Sequence, residues 1–415
     1  MPASSSRDDT TLDEILHPPD YRPRLLHLVL VFTELLARVS PALLLPAWLA
    51  LAAIVCWPWG DLQIPAAVMS LFFMICDGIG LALLPRMGRS FGAVTPPLLA
   101  LTLVRGSLTF AGGLMWSNWS SLITVTMIQL AITAVSVYAT WIEPLRIQVS
   151  HEELHSSKLD GNAPLRLLHI SDLHVEQITL REQRLLDLIP TLDPDLIVLT
   201  GDYLNLSSVR DPESHGEVRD LVEEICERSR GPVYAITGSP PVDLKTVVPR
   251  VFDGLPIRWL LDEVKVVEIG GHRIWIAGLR CTRERSRDAP RLRRLLDGVP
   301  ANQFTLLLYH SPDLMPEAVD LGVDLYLCGH THGGQIRLPF VGALITSSEF
   351  WKRYEMGRYE ENGTTLYVSR GLGMEGLGAP RARFLSPPEI IEWRLSAQYS
   401  SADYASADTV SADNE

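Results

Sequence analysis

The hydrophobic pattern of the chain changes character once. Between about residues 41 and 142 apolar residues run almost unbroken in four stretches, approximately 41–59, 64–84, 95–116 and 122–142. Each approaches the twenty or so residues that a helix needs to cross a bilayer, so an all-α transmembrane domain of about four helices is expected over 41–145. From about 165 to 394 short apolar runs alternate with charged, amphipathic segments. Leu165–Ile170, Leu196–Thr200, Val233–Thr237, Ile274–Ala277, Phe304–Tyr309 and Leu325–Cys328 predict buried strands, and 179–190, 214–229, 289–297 and 313–321 predict helices between them. That alternation is the signature of an α/β domain, placed at 150–396. Towards its end 334–338, 364–369 and 389–395 look strand-like without intervening helices, which predicts a second sheet of antiparallel character.

The flanks differ again. Residues 1–40 form a polar N-terminus whose segment Leu25 to Arg38 has helical spacing, is short for a crossing and contains Glu34, so it is expected to lie in the membrane interface. Residues 397–415 repeat Ser-Ala-Asp at 401, 406 and 411, too small and acidic to bury a core, and a disordered acidic tail is expected. Arg22, Arg24 and Arg38 precede the first apolar stretch and Arg86 and Arg89 follow the second, whereas the 60–63 and 117–121 connections carry only Asp61. The positive-inside bias then predicts a multi-pass protein of the cell membrane, with the lipid bilayer as its partner and the α/β domain facing the cytoplasm. Asp77 and Arg105 fall at comparable depths inside the second and third stretches and are expected to pair.

Composition removes some functions. A formal net charge of −13 argues against nucleic-acid binding, which needs a basic surface. Five cysteines without a CxxC pair indicate neither a disulfide framework nor a zinc knuckle.

The chemistry sits where apolar runs end. Asp172 and His174 follow the first strand with one residue between them, Asp202 follows Gly201 after the second, His310 ends a third, and His330 and His332 repeat the one-apart spacing after a fourth. Carboxylate and imidazole donors gathered at strand ends of an open α/β sheet point to a metal-dependent hydrolytic site.

These residues, with Gly329-His330-Thr331-His332-Gly333-Gly334-Gln335 and the later Tyr367-Val368-Ser369-Arg370-Gly371-Leu372-Gly373, resemble the membrane-associated branch of the calcineurin-like metallophosphoesterases over about 165–395. The resemblance implies a two-sheet core flanked by helices and two divalent ions of manganese, iron or zinc. It also implies that Asp172, His174 and His332 hold one ion, His310 and His330 the other, and Asp202 both. Asp202 and His330 then count as catalytic, and the reaction is hydrolysis of a phosphoester or pyrophosphate by metal-activated hydroxide.

The chain departs from the family in one place. Where the family carries Gly-Asn-His followed by an acid, it reads Gly238-Ser239-Pro240-Pro241. Ser239 is left as a weak ligand of the second metal, and Pro240 can neither titrate nor donate a proton. Arg370, and Arg381 or Arg383, are candidates to contact a substrate phosphate, because guanidinium pairs with it bidentately, against the favoured reading of them as solvated surface arginines. His215 is a candidate substitute acid, against its reading as a solvated loop histidine. The expected function is a membrane-anchored phosphoesterase acting on a lipid-linked substrate; the alternative is a non-catalytic phosphoryl-binding membrane sensor with a degenerate site.

Overall fold

The computed structural model describes residues 32, 33, 36, 41–378 and 380–397. Apart from Phe32, Thr33, Leu36 and Ala397, the expected interfacial helix and acidic tail lie outside the described residues.

Four apolar helices come first: α1 (Pro41–Cys56), α2 (Gln63–Arg86), α3 (Thr95–Met115) and α4 (Trp119–Val137). Between α1 and α2 runs a tight 3₁₀ stretch, Trp57–Leu62, in which Gly60 takes φ 54° and ψ −121°, a conformation open to glycine. Three helical runs, Trp48–Arg86, Thr95–Met115 and Trp119–Leu145, are long and apolar enough to cross a membrane, the first of them merging parts of two expected stretches. The bundle is inverted relative to a soluble one. Along α2, Ile64, Val68, Phe72, Ile75 and Ile79 face outwards at helical spacing, while Ser70 and Asp77, with Thr102, Arg105 and Thr109 of α3 and Gln129 of α4, are buried. Asp77 and Arg105 do pair: Arg105 Nε and Nη2 donate to the two carboxylate oxygens at 2.6 and 2.8 Å, and its remaining N–H groups reach Gln129 Oε1 and Thr133 Oγ1, each at 2.9 Å.

α4 continues through a π turn, Tyr138–Ile142, and a 3₁₀ turn, Glu143–Leu145, almost directly into strand β1 (Gln148–His155). The strands β2 (Leu165–Ile170), β3 (Leu196–Leu199), β4 (Val233–Ala235) and β5 (Ile257–Trp259) follow, linked by helices α5 (Leu180–Leu192), α6 (Pro212–Arg228) and α7 (Val248–Val251). Then come β6 (Glu263–Ile269), β7 (His272–Gly278), α8 (Arg285–Leu296), β8 (Phe304–Leu308), α9 (Met315–Asp320) and β9 (Leu325–Cys328). A two-stranded hairpin, β10 (Arg337–Leu338) and β11 (Gly342–Ala343), precedes β12 (Gly357–Glu361), β13 (Thr364–Val368) and β14 (Glu389–Ser396). One sheet has the order β1-β14-β2-β3-β4-β5, the other β12-β13-β9-β8-β7-β6.

The sheets pack face to face over a shared core that includes Leu165, Val198, Ile276, Leu306 and Trp393. α5 and α6 cover the outer face of the first sheet and α8 and α9 that of the second. This is the two-sheet core flanked by helices that the resemblance implies, α/β in class, preceded by apolar helices.

The closing strands are arranged differently from the expectation. β14 is antiparallel to β2 in the first sheet, and β13 is parallel to β9 in the second. Ile390, Ile391, Trp393 and Leu395 are all buried, so β14 needs an interior position with cover on both faces, and β1 supplies its other edge. Antiparallel pairing in the second sheet is confined to its margins, β12 and β6.

Candidate metal centre

Each expected donor leaves the C-terminal end of a parallel strand: Asp172 and His174 after β2, Asp202 after β3, His310 after β8, His330 and His332 after β9. The chain bends sharply to aim them. Asp172, His174, Asp202, His330 and His332 all have φ between 43° and 72°, a left-handed conformation that costs non-glycine residues about 1–3 kcal/mol each and persists only where surrounding structure enforces it. Part of that enforcement is backbone pairing across the two loops, Asp172 N–H to the Gly201 carbonyl and His174 N–H to the Asp202 carbonyl, each at 3.0 Å. Gly329 is required by contact: a Cβ there would come within 1.9 Å of Asp172 Oδ2.

The six donors form two adjoining buried clusters, Asp172, His174 and His332 in one and Asp202, His310 and His330 in the other, with the candidate ligand atoms of each within 4.8 Å of one another. His174 Nε2 faces His332 Nε2 at 3.0 Å, and His332 Nε2 lies 3.7 Å from Asp172 Oδ1. Asp202 Oδ2 is 3.0 Å from His310 Nε2 and 3.8 Å from His174 Nε2, so one carboxylate reaches both clusters.

The donor set fits divalent ions. His174 Nδ1 lies 3.2 Å from the Leu204 carbonyl and His310 Nδ1 2.7 Å from the Thr200 carbonyl. A carbonyl can only accept, so the proton of each neutral ring sits on Nδ1 and the Nε2 lone pair is turned towards the cluster, the arrangement that outer contacts impose on metal-binding imidazoles. Mixed carboxylate and imidazole donors suit manganese, iron or zinc and do not choose among them.

The charges balance unevenly. Burial pushes the Asp172 carboxyl up, with the Asp202 charge adding to it. Burial would also raise Asp202, but His310, His174 and His330 outweigh it and hold that carboxyl below the usual carboxylate range. His310 is correspondingly raised to about 9: burial opposes its charge, and Asp202 and Asp172 prevail. Burial, His174 and Arg383 drive His332 the other way, well below the imidazole range.

Ser239 joins the second cluster. Its Oγ is 3.2 Å from both Asp202 Oδ2 and His310 Nε2 and 3.3 Å from His330 Nδ1. The three arginines are engaged elsewhere: Arg370 with Glu389 and Gln148, each at 2.8 Å, and Arg381 with Glu176 at 2.7 Å. Arg383 is fully buried and spans the carbonyls of Arg370, Gly371 and Ser386, its Nη2 3.5 Å from His332 Nδ1. His215 Nε2 rests 2.9 Å from the Val209 carbonyl.

Two residues escaped the sequence reading. Asp243, buried below Asp202, accepts the backbone N–H groups of Gly238 at 2.7 Å, Asp202 at 2.8 Å and Tyr203 at 3.0 Å, tying the loops after β3 and β4 together. Glu143 accepts the N–H groups of Ser386 at 2.6 Å and Leu385 at 3.0 Å, and Ser386 Oγ donates to the His332 carbonyl at 2.7 Å. Asp243 follows no apolar run, Glu143 follows the fourth apolar stretch and not a strand, and both act on backbone brought near by the fold.

A narrow cleft beside His174 is walled partly by Arg89, Ser90 and Phe91 of the α2–α3 connection and partly by Arg181 and Arg381.

The family model of the calcineurin-like phosphoesterases matches residues 165–334. The chain is 31 % identical over 268 residues to the uncharacterized metallophosphoesterase YkuE of Bacillus subtilis, covering 63 % of this chain and 89 % of that one. It is 27 % identical over 247 residues to phosphodiesterase YaeI of Escherichia coli, covering 57 % and 85 %. To the UDP-2,3-diacylglucosamine pyrophosphatase LpxG of Chlamydia trachomatis it is 25 % identical over 322 residues, covering 64 % and 94 %. Likeness over nearly the whole length of YkuE, with the family match beginning at β2 and ending inside the histidine loop after β9, means that the chain belongs to the calcineurin-like metallophosphoesterases.

Proposed function

We propose that this hydrolase is a membrane-anchored, metal-dependent phosphoesterase that cleaves a phosphoester or pyrophosphate on a lipid-linked substrate beside the bilayer. The observation that carries the reading is the pair of adjoining donor clusters with Asp202 in reach of both. Asp172, His174 and His332 would hold one ion, His310 and His330 the other, with Asp202 shared and Ser239 a weak contact to the second. Divalent ions held there would supply the positive charge that neutralises phosphoryl oxygens and acidifies a water molecule.

The chain supplies orientation and dryness. The Leu204 and Thr200 carbonyls fix the imidazole rings, Asp243 fixes the Asp202 loop, and burial excludes bulk water from the donors. No proton comes from position 240, because proline has none to give there. Loss of a general acid costs about 10²–10⁴ in rate and weighs least on leaving groups that are already good, such as the phosphate of a pyrophosphate. The pyrophosphatase activity in the name of LpxG accords with that preference.

Location argues for the lipid. Arg89, Ser90 and Phe91 join two apolar helices and also wall the cleft at His174. Arg89 Nη1 donates to the Trp141 carbonyl at 2.8 Å, so this connection sits at the end of α4 that leads into the α/β domain, whereas Ser117 bonds the Trp59 carbonyl at the opposite end. By the positive-inside bias the arginine-bearing side, and the domain with it, faces the cytoplasm.

The test uses the purified full chain with manganese, bis-p-nitrophenyl phosphate and a lipid pyrophosphate in mixed micelles. Hydrolysis of both, lost in Asp202→Ala, is the expected result; equal turnover in the variant overturns the reading. Metal and phosphate binding without turnover would instead establish the phosphoryl-binding sensor, which Pro240 favours.

A further inference from the structure

The hairpin that follows the histidine loop is apolar where a soluble enzyme would be polar. Between Gly334 and Thr346 the chain reads Gln-Ile-Arg-Leu-Pro-Phe-Val-Gly-Ala-Leu-Ile, and Leu338, Phe340, Val341, Leu344 and Ile345 are all exposed, Phe340 completely. Leu385 continues the patch, lining the same open hollow as Phe340 and Val341. A contiguous apolar surface of this kind marks a contact with something outside the chain.

Its position says what that is. Arg337 N–H donates to the Phe384 carbonyl at 2.9 Å, and the Phe384 ring meets the Tyr138 ring edge to face at 6.2 Å between centroids. Tyr138 belongs to the last apolar helical run, Trp119–Leu145, so the hairpin stands beside the end of a helix long enough to cross a bilayer. Arg383 N–H donates to the Ala139 carbonyl at 2.9 Å and Glu143 holds Leu385, which fix the strip under the hairpin to that same end. Around the patch are the residues that favour a membrane interface. Trp351 is exposed, Lys352 Nζ bonds the Val341 carbonyl at 2.8 Å, and Arg146 Nη1 bonds Tyr138 Oη at 3.2 Å.

We infer that the hairpin Arg337–Ala343 dips its Phe340 tip into the hydrocarbon edge of the same bilayer that the apolar helices cross. Lys352, bonded to Val341, and Arg146, bonded to Tyr138, would then lie at headgroup level. Only residues 333–336 separate His332 from Arg337, so the element proposed to meet the lipid lies next in the chain to the candidate donors. The inference rests on the membrane-anchored reading and deepens it by naming the element that meets the lipid.

The experiment uses the full chain in nanodiscs of phosphatidylcholine and phosphatidylglycerol, with a nitroxide label attached after Phe340→Cys or, as an exposed control on β12, Glu360→Cys. The signal from the native cysteines is subtracted using the unsubstituted chain. Power-saturation electron paramagnetic resonance then compares collisions with oxygen, which concentrates in hydrocarbon, and with a water-soluble nickel chelate. The expected result is an oxygen-to-nickel ratio severalfold higher at 340 than at 360. A ratio at 340 equal to the control overturns the inference, and so does shielding from both reagents, which would mean that protein covers the patch. Co-elution of chain and nanodisc reads anchoring independently, and the micelle assay reads hydrolysis independently, so a failure of the function leaves this result interpretable.

Discussion

Ser239 and His310 define what the centre does with protons. The serine hydroxyl reaches the second cluster, but as a neutral donor it binds a cation less firmly than an amide carbonyl, and the proline beside it removes the family's titratable neighbour. Restoring the pair with Ser239→Asn and Pro240→His is expected to strengthen binding of the second ion. It should also raise kcat by about 10²-fold or more on alkyl phosphodiesters, with much less gain on a pyrophosphate, in parallel assays of metal stoichiometry and rate.

His310 sets a pH dependence. Its pKa is raised to about 9 in the metal-free protein, above the ordinary imidazole value of about 6.5. Stability from its pairing with Asp202 is therefore complete below about pH 6.5 and is lost as pH rises through about 9. An incoming ion must displace that proton, so apparent metal affinity rises with pH over the same window. Titration calorimetry in buffers of different ionisation enthalpy at neutral pH should show proton release on manganese binding. Asp243→Asn leaves one carbonyl oxygen to serve three N–H donors. It is expected to lower metal affinity by about 10–100-fold, measured by the same titration, with the two-sheet fold intact by circular dichroism.

At the level of single elements the ion pair inside the bundle is a self-contained test. Asp77 and Arg105 satisfy each other with Gln129 and Thr133 among otherwise apolar helices. Asp77→Ala or Arg105→Ala alone should cost about 3–5 kcal/mol, because each leaves a buried charge uncompensated, and the double change should cost less than the sum. Thermal unfolding in detergent of all four proteins measures the coupling; additive losses would mean that the two groups act separately.

Which elements were readable from sequence follows from burial. β2 and β9 coincide with the runs Leu165–Ile170 and Leu325–Cys328, since a strand covered on both faces is predominantly apolar, with Arg166 and His169 the exceptions in β2. β1, reading Gln-Val-Ser-His-Glu-Glu-Leu-His, is a partly solvated edge strand without such a signal, and β6 and β12 share that position in the other sheet. The six donors were legible because each follows a readable strand. Asp243, Glu143 and the role of Arg383 were not: they bind backbone atoms of loops distant in sequence, and no local spacing encodes that.

Taken whole, the molecule joins its apolar bundle to its hydrolytic body with almost no linker. α4 runs through Glu143 into β1 within a few residues, while the α2–α3 connection reaches the cleft at His174. On the proposed anchoring, the site therefore has little freedom to move away from the membrane surface. In sealed vesicles with the cytoplasmic side outward, protease added outside should cut the α/β domain and spare the α1–α2 connection; protection of the domain would reverse the proposed orientation.

Among the described residues β1 pairs only with β14, and β14 lies between β1 and β2, so the first sheet is closed by the last of the described strands. Every candidate metal-binding side chain precedes residue 389 in the chain, yet the seam beside β2 stays open until β14 arrives. With the helices anchored as proposed, nascent chains therefore pass through an interval in which the apolar helices can be embedded while the α/β domain is unfinished. On that anchoring, insertion of the helices can precede completion of the sheet, and a chain cut before residue 389 is expected to insert yet leave the first sheet unassembled.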